Sequence, residues 1–522
     1  MLQFFRVWRR GTHRVIAAGR SGRRGFLRLA RFHRPQPAKR GIRPLPPPSS
    51  TPLDTPSTPA YLGTFRQPFE EKFGMDTIRE PQRQTPVCHD CDVCVVGGST
   101  TGVYAAVAAA RLGARVALVE AMGYFGGMAT AALVNCWHTR FDDSGKVALF
   151  AGLITETMER LKRRDAVIDR GHHAYWQYAF NPFELVVELD ELVREQSNIR
   201  PFLHTRFVAP VMEGPGHVAA AIIEDKTGRR AIRAAMFIDA TGDGDLVHRA
   251  GFETYRRDVI QPPTTCLVAN GFTATNEEVK EAVFDPRTPG ALRPGFLWGA
   301  PWPGSTLRMI AGTRVHGADC SDADQLTRAE MEGRRQVHAI LDLARRHVPG
   351  CEDMRLAALP AHLGVRESRH ARCLHQLTEG EVLRGERFLD AIANGSYPVD
   401  VHAGDGDGLI FRHLDGREQR CYMSAPTVEG RWAPEGHVPA TYYQVPYRCL
   451  VPRGARNALA AGRCLDADEG AFGAVRVMVN TAQTGQAAGV AAWVALDTAR
   501  AVGEIDTDRL RSRLAQQGAV VL

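Results

Sequence analysis

The chain has 522 residues, 44% of them hydrophobic, and a formal net charge of +7 from 65 basic and 58 acidic residues. That length is ample for a large buried core and predicts at least two domains. Residues 1–50 hold thirteen Lys or Arg and no acidic residue, so the rest of the chain is net acidic and indicates no nucleic-acid surface. Eleven cysteines without regular spacing favour a reducing compartment, and without a run of eighteen apolar residues we expect no membrane span.

The N-terminal segment, residues 1–86, is rich in Arg and then in Pro, Ser and Thr. This composition cannot bury a core, so it predicts disorder. Within it, RRGFLR at 23–28 resembles a twin-arginine export motif. An export signal needs an apolar stretch of about 7–15 residues next, and here charge and proline interrupt it. We expect a cytoplasmic protein, with export as the alternative.

Three cysteines at metal-like spacing, Cys88, Cys91 and Cys94, come next. They match the first three ligands of a ferredoxin-type run, but the fourth cysteine is missing. Residues 92–96, DVCVV, are typical of a buried strand, on which alternate side chains point to opposite faces. Cys94 is then a core residue and Cys91 faces away from it, so we expect no metal. An iron–sulfur centre stays the alternative.

A complete βαβ unit occupies residues 92–120. The first strand runs into GGSTTG at 97–102, the helix VYAAVAAARLG ends at Gly113, and a second buried strand ends at Glu120. The glycines allow a tight turn and close packing, and the helix N-terminus offers N–H groups to a pyrophosphate. Glu120 is placed to accept hydrogen bonds from a ribose diol. The unit predicts a dinucleotide cofactor bound by Gly97, Gly98, Ser99, Thr101, Gly102 and Glu120.

One position departs from the G-x-G-x-x-G pattern, because Ser99 replaces the middle glycine. A Cβ at this position narrows the approach of the pyrophosphate to the backbone, while the serine hydroxyl is an additional donor to phosphate. The alternative, a glycine turn in an unrelated α/β protein, is disfavoured because strand, helix, second strand and terminal acid all occur in order.

The segments VVGGSTTGVYAAVAAARLGARVALVE, FIDATGDGD, LGVRESRHA, PYRCLVP and AGRC…GAVRVM…GQAAG carry a resemblance. Together they resemble the bacterial FAD-dependent oxidoreductase family of the glutathione-reductase-like superfamily, over about residues 77–498. The resemblance implies that FAD is the cofactor and that a long helix beginning near Thr484 faces the flavin. It adds to the cofactor residues Gly126, Gly127, Thr130, Gly242, Asp243, Gly462, Arg463, Gly485 and Gln486.

The fold class that follows is α/β, a Rossmann-like FAD-binding domain with a parallel central sheet and an inserted α+β substrate domain. We expect the FAD-binding domain in residues 88–150, 202–250 and 449–498, the substrate domain in 151–201 and 251–448, and a C-terminal extension in 499–522. Asn181 is a predicted cap for a helix over 182–196, and DQLTRAEMEGRRQVHAILDLARRH predicts a helix over 324–347.

The catalytic candidates form two groups. His138 is a candidate base, and Cys136 or His138 a candidate for covalent attachment to flavin; packing is the alternative for both. Arg366 and Arg369 are candidates to clamp an anion through their guanidinium forks, with ion pairing to Glu367 as the alternative. His370 belongs to the same motif of the resemblance. His402 and Arg476 are lesser candidates.

The leading functional hypothesis is an FAD enzyme that dehydrogenates a small organic substrate by hydride transfer to an unidentified electron acceptor. A second G-x-G-x-x-G is missing, which argues against an NAD(P)H-linked disulfide reductase. Two alternatives remain. One is an electron relay that works with an iron–sulfur centre or partner protein, and the other is a flavin-binding protein without net redox turnover.

Overall fold

The computed structural model describes residues 77–171, 176–292, 296–402, 408–422, 426–434 and 436–522. The chain divides into two units, Met1–Glu80 and Pro81–Leu522. In the first unit, residues 77–80 form neither helix nor strand. The RRGFLR motif and the predicted disordered tail, as far as residue 76, lie outside the described residues.

All described helices and strands lie in the second unit. The strands are β1 (Val87–Val96), β2 (Val116–Val119), β3 (Cys136–His138), β4 (Val167–Asp169), β5 (Trp176–Phe180), β6 (Ile199–Phe202), β7 (Arg206–Met212), β8 (Val218–Asp225), β9 (Gly228–Asp239), β10 (Thr254–Tyr255), β11 (Leu267–Asn270), β12 (Trp298–Pro301), β13 (Arg308–Ala311), β14 (Arg355–Ala358), β15 (His370–Ala371), β16 (Ala391–Gly395), β17 (Val399–His402), β18 (Leu409–Arg412), β19 (Arg417–Cys421), β20 (Val428–Arg431), β21 (Tyr443–Pro446) and β22 (Ala458–Ala460). The helices are α1 (Thr100–Arg111), α2 (Leu153–Lys162), α3 (Pro182–Arg194), α4 (Asp245–Arg249), α5 (Asn276–Phe284), α6 (Ala323–His347), α7 (Glu379–Arg384), α8 (Glu469–Val475), α9 (Met478–Thr498) and α10 (Thr507–Gln516).

The central sheet has seven strands in the order β6-β2-β1-β9-β8-β7, with β22 also paired to β9. Strands β6, β2, β1, β9 and β22 are parallel, whereas β8 and β7 form an antiparallel arm. The register aligns Val96 of β1 and Ala460 of β22 with Asp239 of β9. The carboxyl ends of these three strands therefore meet at one edge. The predicted α/β fold with a Rossmann-like parallel sheet is confirmed.

Helices α1 and α9 pack closely because glycines face the neighbouring backbone. A Cβ on Gly485 would lie 2.1 Å from the Thr101 carbonyl oxygen, and one on Gly489 would lie 2.1 Å from that of Ala105. The predicted start of this helix near Thr484 is wrong, because α9 begins at Met478. Thr484 does not cap the helix: its hydroxyl donates to the Thr481 carbonyl inside the helix at 2.7 Å.

The segment 151–201, expected in the substrate domain, contributes instead to the nucleotide-binding layers. Helices α2 and α3 pack on α9 and α1, and β6 pairs with β2 at the edge of the parallel sheet. A parallel strand needs a crossover connection, and α3 supplies it. The Asn181 side chain caps α3 as predicted, accepting from the Phe183 N–H at 3.0 Å.

The residues that were predicted to form the substrate domain contain mainly antiparallel sheets. One has the order β12-β13-β11-β14, and α5 and α6 cover it with a separate apolar core. Helix α6 matches the predicted helix over 324–347 within one residue. A second sheet has the order β17-β18-β19-β20. In the C-terminal extension, α10 buries Leu510 and Leu514 and packs on α9.

Among the helices that the structure describes, we find none with the length and apolar character needed to cross a bilayer.

Candidate active site

A cavity opens at the edge where the carboxyl ends of β1, β9 and β22 meet. We call it the cofactor cavity, and its lining includes the predicted cofactor residues Gly97, Ser99, Thr101, Glu120, Gly127, Gly242, Gly462 and Arg463. Its remaining lining residues are Thr100, Met122, Met128, Ala240, Thr241, His362, Arg476, Met478 and Thr481. The first turns of α1 and α9 thus both reach the cavity, at the edge where open α/β sheets bind ligands.

The glycine turn after β1 packs tightly against the neighbouring backbone at the edge of this cavity. Gly97 has φ +101°, and a Cβ there would lie 2.4 Å from the Ala240 carbonyl oxygen. A Cβ on Gly102 would lie 1.8 Å from the Gly97 carbonyl oxygen. Ser99 occupies the N-cap position of α1, yet its side chain makes no capping hydrogen bond. The hydroxyl is therefore not committed to the helix and fits a phosphate oxygen.

Glu120 ends β2 with its carboxylate at the cavity. One oxygen accepts from the Gly98 N–H at 2.6 Å and the other from the Met122 N–H at 2.7 Å. A carboxylate oxygen can accept more than one hydrogen bond, so both retain capacity toward a ribose diol.

Arg463 adds a positive charge to the lining of the cofactor cavity. Its Nη2 lies 3.2 Å from Asp243 Oδ1, whereas its buried Nη1 has no hydrogen-bond partner among the described residues. An unpartnered buried donor is unfavourable unless a ligand completes it. A tight glycine turn in the lining, a carboxylate and a guanidinium with an unused donor together fit an anionic dinucleotide such as FAD.

The other predicted cofactor residues support the cavity from behind. Gly102 packs α1 on β1. Gly98 packs against Phe125 and Glu120, and a Cβ on Gly126 would lie 2.4 Å from Thr130. Asp243 accepts from the Ser368 hydroxyl at 2.6 Å and pairs with Arg463. Gly485 and Gln486 lie past the first turn of α9 and do not line the cavity, because the helix starts earlier than predicted.

A second cavity of about 240 Å³ adjoins the first, and we call it the substrate cavity. Met128, Arg463, Arg476 and Met478 line both cavities. The substrate cavity has largely apolar walls, formed by Val134, Trp176, Phe296, Trp298, Ala311, Val365, Leu409, Phe411 and Val477. Its polar lining consists of Cys136, His138, Thr264, Cys266, Arg314, Gly364, Arg366, Tyr397, Asp400 and His402.

His138 and Cys136 lie on β3 and both reach the substrate cavity. The ring centroids of His138 and Tyr397 are 4.3 Å apart, edge to face. Burial, and then the charge of Arg476, lowers the pKa of His138 to about 3, so the imidazole is neutral at pH 7. Burial also raises the pKa of the Cys136 thiol, which favours the less reactive protonated form.

Arg366 and His370 are separated by the fold although they share one motif. Arg366 lines the substrate cavity, and burial, then Arg476, lowers its pKa to about 10. His370 lines neither cavity: its ring nitrogens lie 2.9 Å from Arg257 and 3.1 Å from the Leu465 carbonyl oxygen. Arg257 also pairs with Glu367, so Glu367 is engaged away from the substrate cavity.

Arg369, the other predicted anion clamp, points to the cofactor side. It donates to the Asp243 carbonyl oxygen at 3.0 Å and lies 3.3 Å from the Asp245 carboxylate. It therefore braces the loop that follows β9.

An ion pair that the motifs did not reveal crosses the substrate cavity. Arg476 Nη2 donates to Asp400 Oδ2 at 2.9 Å, and the Tyr397 hydroxyl donates to the same oxygen at 2.8 Å. Asp400 and His402 share one face of β17, since side chains alternate along a strand. This two-residue spacing is the sequence signal that could have identified Asp400 as a site candidate together with His402.

The cysteines before the glycine turn do not converge. From His89 onward β1 pairs with β9 in continuous register, which directs Cys91 and Cys94 to opposite faces. Cys94 is fully buried in the main core. Within the described ranges no three His, Cys, Asp or Glu side chains group as metal ligands.

Several solved structures are similar to this chain, at low identity. A geranylgeranyl bacteriochlorophyll reductase-like protein from Thermoplasma acidophilum is 12% identical with a TM-score of 0.44, over 82% of this chain and 83% of that one. A p-nitrophenol 4-monooxygenase from Pseudomonas putida is 11% identical with a TM-score of 0.39, over 82% and 85%. A myxobacterial chondrochloren halogenase is 12% identical with a TM-score of 0.39, over 82% and 80%. Similarity at this level assigns no reaction.

No curated protein matches the chain. A family model described as FAD dependent oxidoreductase matches residues 92–514, most of the chain, which confirms both the resemblance and the FAD cofactor predicted from the sequence. The chain therefore belongs to the FAD-dependent oxidoreductase family.

Proposed function

We propose that this enzyme dehydrogenates a small organic substrate by hydride transfer to FAD. The observation that carries the proposal is the continuity of the two cavities, because Met128, Arg463, Arg476 and Met478 line both of them. A substrate held in the second cavity is then adjacent to a cofactor held in the first. The apolar walls of the second cavity, which include Trp176 and Trp298, would limit the access of water to a bound substrate.

Bound FAD supplies the two-electron acceptor chemistry. For their part, Ser99, Thr101 and Arg463 would hold its phosphates, and Glu120 its ribose. The neutral imidazole of His138 would accept the proton that the substrate loses, since a neutral ring nitrogen is an acceptor. Burial is the main cause that lowers the basicity of His138, and the charge of Arg476 adds to it. The ion pair with Asp400 would keep Arg476 oriented and limit that second contribution.

The test is anaerobic mixing of the FAD-loaded enzyme with a panel of small alcohols, amines and organic acids, monitored by loss of the oxidised flavin absorption band. We expect at least one class to bleach the flavin. The variant His138→Gln is expected to slow bleaching by about 10²- to 10⁴-fold while flavin content stays unchanged. The matched control is His338→Gln, because His338 is exposed on α6.

Two results would contradict the proposal. Full flavin occupancy without bleaching by any compound would favour a flavin-binding protein without net turnover. Stoichiometric iron in the purified protein would favour the electron relay.

A further inference from the structure

Two buried arginines of the substrate cavity share a single neutral acceptor. Arg314 Nη1 donates to the Thr264 hydroxyl oxygen at 2.9 Å, and Arg366 Nη1 donates to the same oxygen. Thr264 in turn donates to the Thr313 carbonyl oxygen at 2.9 Å. The remaining bonds of both guanidinium groups also end on neutral oxygens, the Pro262 and Thr313 carbonyls, each at 2.6 Å.

Neither of these two arginines forms an ion pair with an Asp or Glu in the described part of the chain. Asp400, a carboxylate that acts against burial to raise the pKa of both arginines, is itself held by Arg476 and by the Tyr397 hydroxyl. Four arginines line the cavity: Arg476 is paired with Asp400, and Arg463 with Asp243. Among the described residues, Arg314 and Arg366 are therefore left without a paired counter-charge.

Two like charges that meet at one hydroxyl inside an apolar cavity are unfavourable, because each loses hydration without gaining a counter-charge. The buried Nε of Arg314 adds a donor without a partner among the described residues. Burial lowers the pKa of both side chains. Each of these costs would be removed by a bound anion with two acceptor oxygens, the geometry that a guanidinium fork recognises.

The rest of the cavity restricts what else this anion carries. Trp176, Trp298 and Phe296 offer aromatic faces, and Val134 and Leu409 add aliphatic surface. A volume of about 240 Å³ admits a small ring or short chain beside the charged group. A fully polar anion would leave these walls in contact with water.

We propose that the substrate of this enzyme is a small organic carboxylate, whose carboxylate group binds between Arg314 and Arg366 and whose apolar body packs against Trp176 and Trp298. The inference rests on the proposed function only in treating the second cavity as the substrate site. The carboxylate would also offset the positive field of Arg314 and Arg366 at His402, where burial and these two arginines lower the pKa.

The test is isothermal titration calorimetry of FAD-loaded protein with benzoate, phenylacetate and hexanoate, each compared with its neutral amide at constant ionic strength. We expect at least one carboxylate to bind tenfold or more tightly than its amide. Arg314→Met and Arg366→Met should each abolish that preference, whereas Arg366→Lys, which keeps the charge but not the fork, should retain part of it.

The matched control is Arg308→Met. Arg308 lies on β13, six residues before Arg314, is half-buried, and donates to Asn276 rather than to a carboxylate, but it does not line the cavity. We expect the carboxylate preference to survive this substitution. Thermal melting adds a second readout: without ligand, Arg366→Met should melt no lower than the parent protein, since it removes an uncompensated charge. A purely structural arginine would instead lower the melting temperature.

The proposal is overturned if no carboxylate exceeds its amide, if phenyl phosphate is preferred to every carboxylate, or if both methionine variants keep the preference. Binding is measured without flavin reduction. A carboxylate preference without flavin bleaching would therefore support this inference and contradict the proposed dehydrogenase. Bleaching by neutral compounds alone would support the dehydrogenase and contradict this inference.

Discussion

Ser99 replaces a glycine at the turn where the phosphates of FAD are expected, and its side chain makes no capping hydrogen bond to α1. If the hydroxyl donates to a phosphate oxygen, Ser99→Ala should weaken FAD binding by about five- to tenfold, since one such bond contributes about 1 kcal/mol. The measurement is the FAD dissociation constant from flavin fluorescence. Ser99→Gly separates the alternatives: tighter binding by the glycine variant would mean that the serine is merely tolerated.

Among the individual residues, the sequence could identify those whose role depends on a single contiguous motif. Ser99 and Glu120 belong to a single βαβ unit whose spacing determines their positions. Arg314 could not be found this way, because its role arises from Thr264 and Arg366, which the fold brings to it from distant parts of the chain. His370 shows that neighbours in sequence need not share a site. It lies only four residues after Arg366, yet it contacts Arg257 and Glu367 outside the substrate cavity.

Among the elements, the contact of α1 with α9 determines the shape of the cofactor cavity. Gly489→Ala would place a Cβ 2.1 Å from the Ala105 carbonyl oxygen, and backbone cannot move aside as a side chain can. We expect a loss of about 1–3 kcal/mol or more in the free energy of unfolding, with weaker FAD binding because Met478 and Thr481 of α9 line the cavity. Urea unfolding and FAD titration measure the two effects.

The control for that substitution is Gly380→Ala in α7. A Cβ there meets only the flexible end of Arg384, at 2.8 Å. Because alanine is the better helix former, we expect this variant to be as stable as the parent or more stable by up to about 1 kcal/mol. Equal losses in both variants would refute the packing argument.

Helix boundaries were predictable where the chain carries a cap and not where it lacks one. Asn181 marks the start of α3, and Asp322 caps α6 by accepting from the Gln325 N–H at 2.9 Å. Helix α9 starts after Val477, whose side chain cannot cap a helix. The polar Thr484 was therefore wrongly predicted as the start of the helix. Six residues of helix at the cofactor cavity were missed as a result.

For the whole molecule, buried neutral histidines predict a loss of stability in acid. Burial lowers the pKa of both His138 and His370 to about 3, against 6.5 in the unfolded chain. Below about pH 6.5 the unfolded state binds protons that the folded state excludes, so the free energy of unfolding falls as pH decreases toward 3. Each histidine contributes a slope of about 1.4 kcal/mol per pH unit inside this window.

Urea unfolding between about pH 6 and 4 checks the sign. His138→Gln should reduce the slope by about one histidine's share, while His338→Gln, at an exposed position, should leave it unchanged. An unchanged slope in His138→Gln would mean that His138 is protonated in the folded enzyme.

The sequence was sufficient to predict the fold class, but not the boundaries of the domains. The alternation of strand and helix indicated a parallel sheet, and β9 returned beside β1 as expected. The sequence predicts residues 151–201 in the substrate domain, because no motif in this segment indicates which sheet its strands join. Only the pairing of β6 with β2, set by long-range contacts, places them in the nucleotide-binding layers.

The late pairing of β22 has a consequence for synthesis on the ribosome. Ala458–Ala460 completes the edge of β9 at Phe237–Asp239, more than 200 residues after that edge has left the exit tunnel. At roughly 5–20 residues per second, translation leaves this edge unpaired for on the order of ten to forty seconds. An open strand edge is a template for aggregation, and Gly462, Arg463 and Met478 arrive later still. The edge of β9 and the cofactor cavity are therefore both completed by the same late part of the chain, so neither can form before that part has been synthesised.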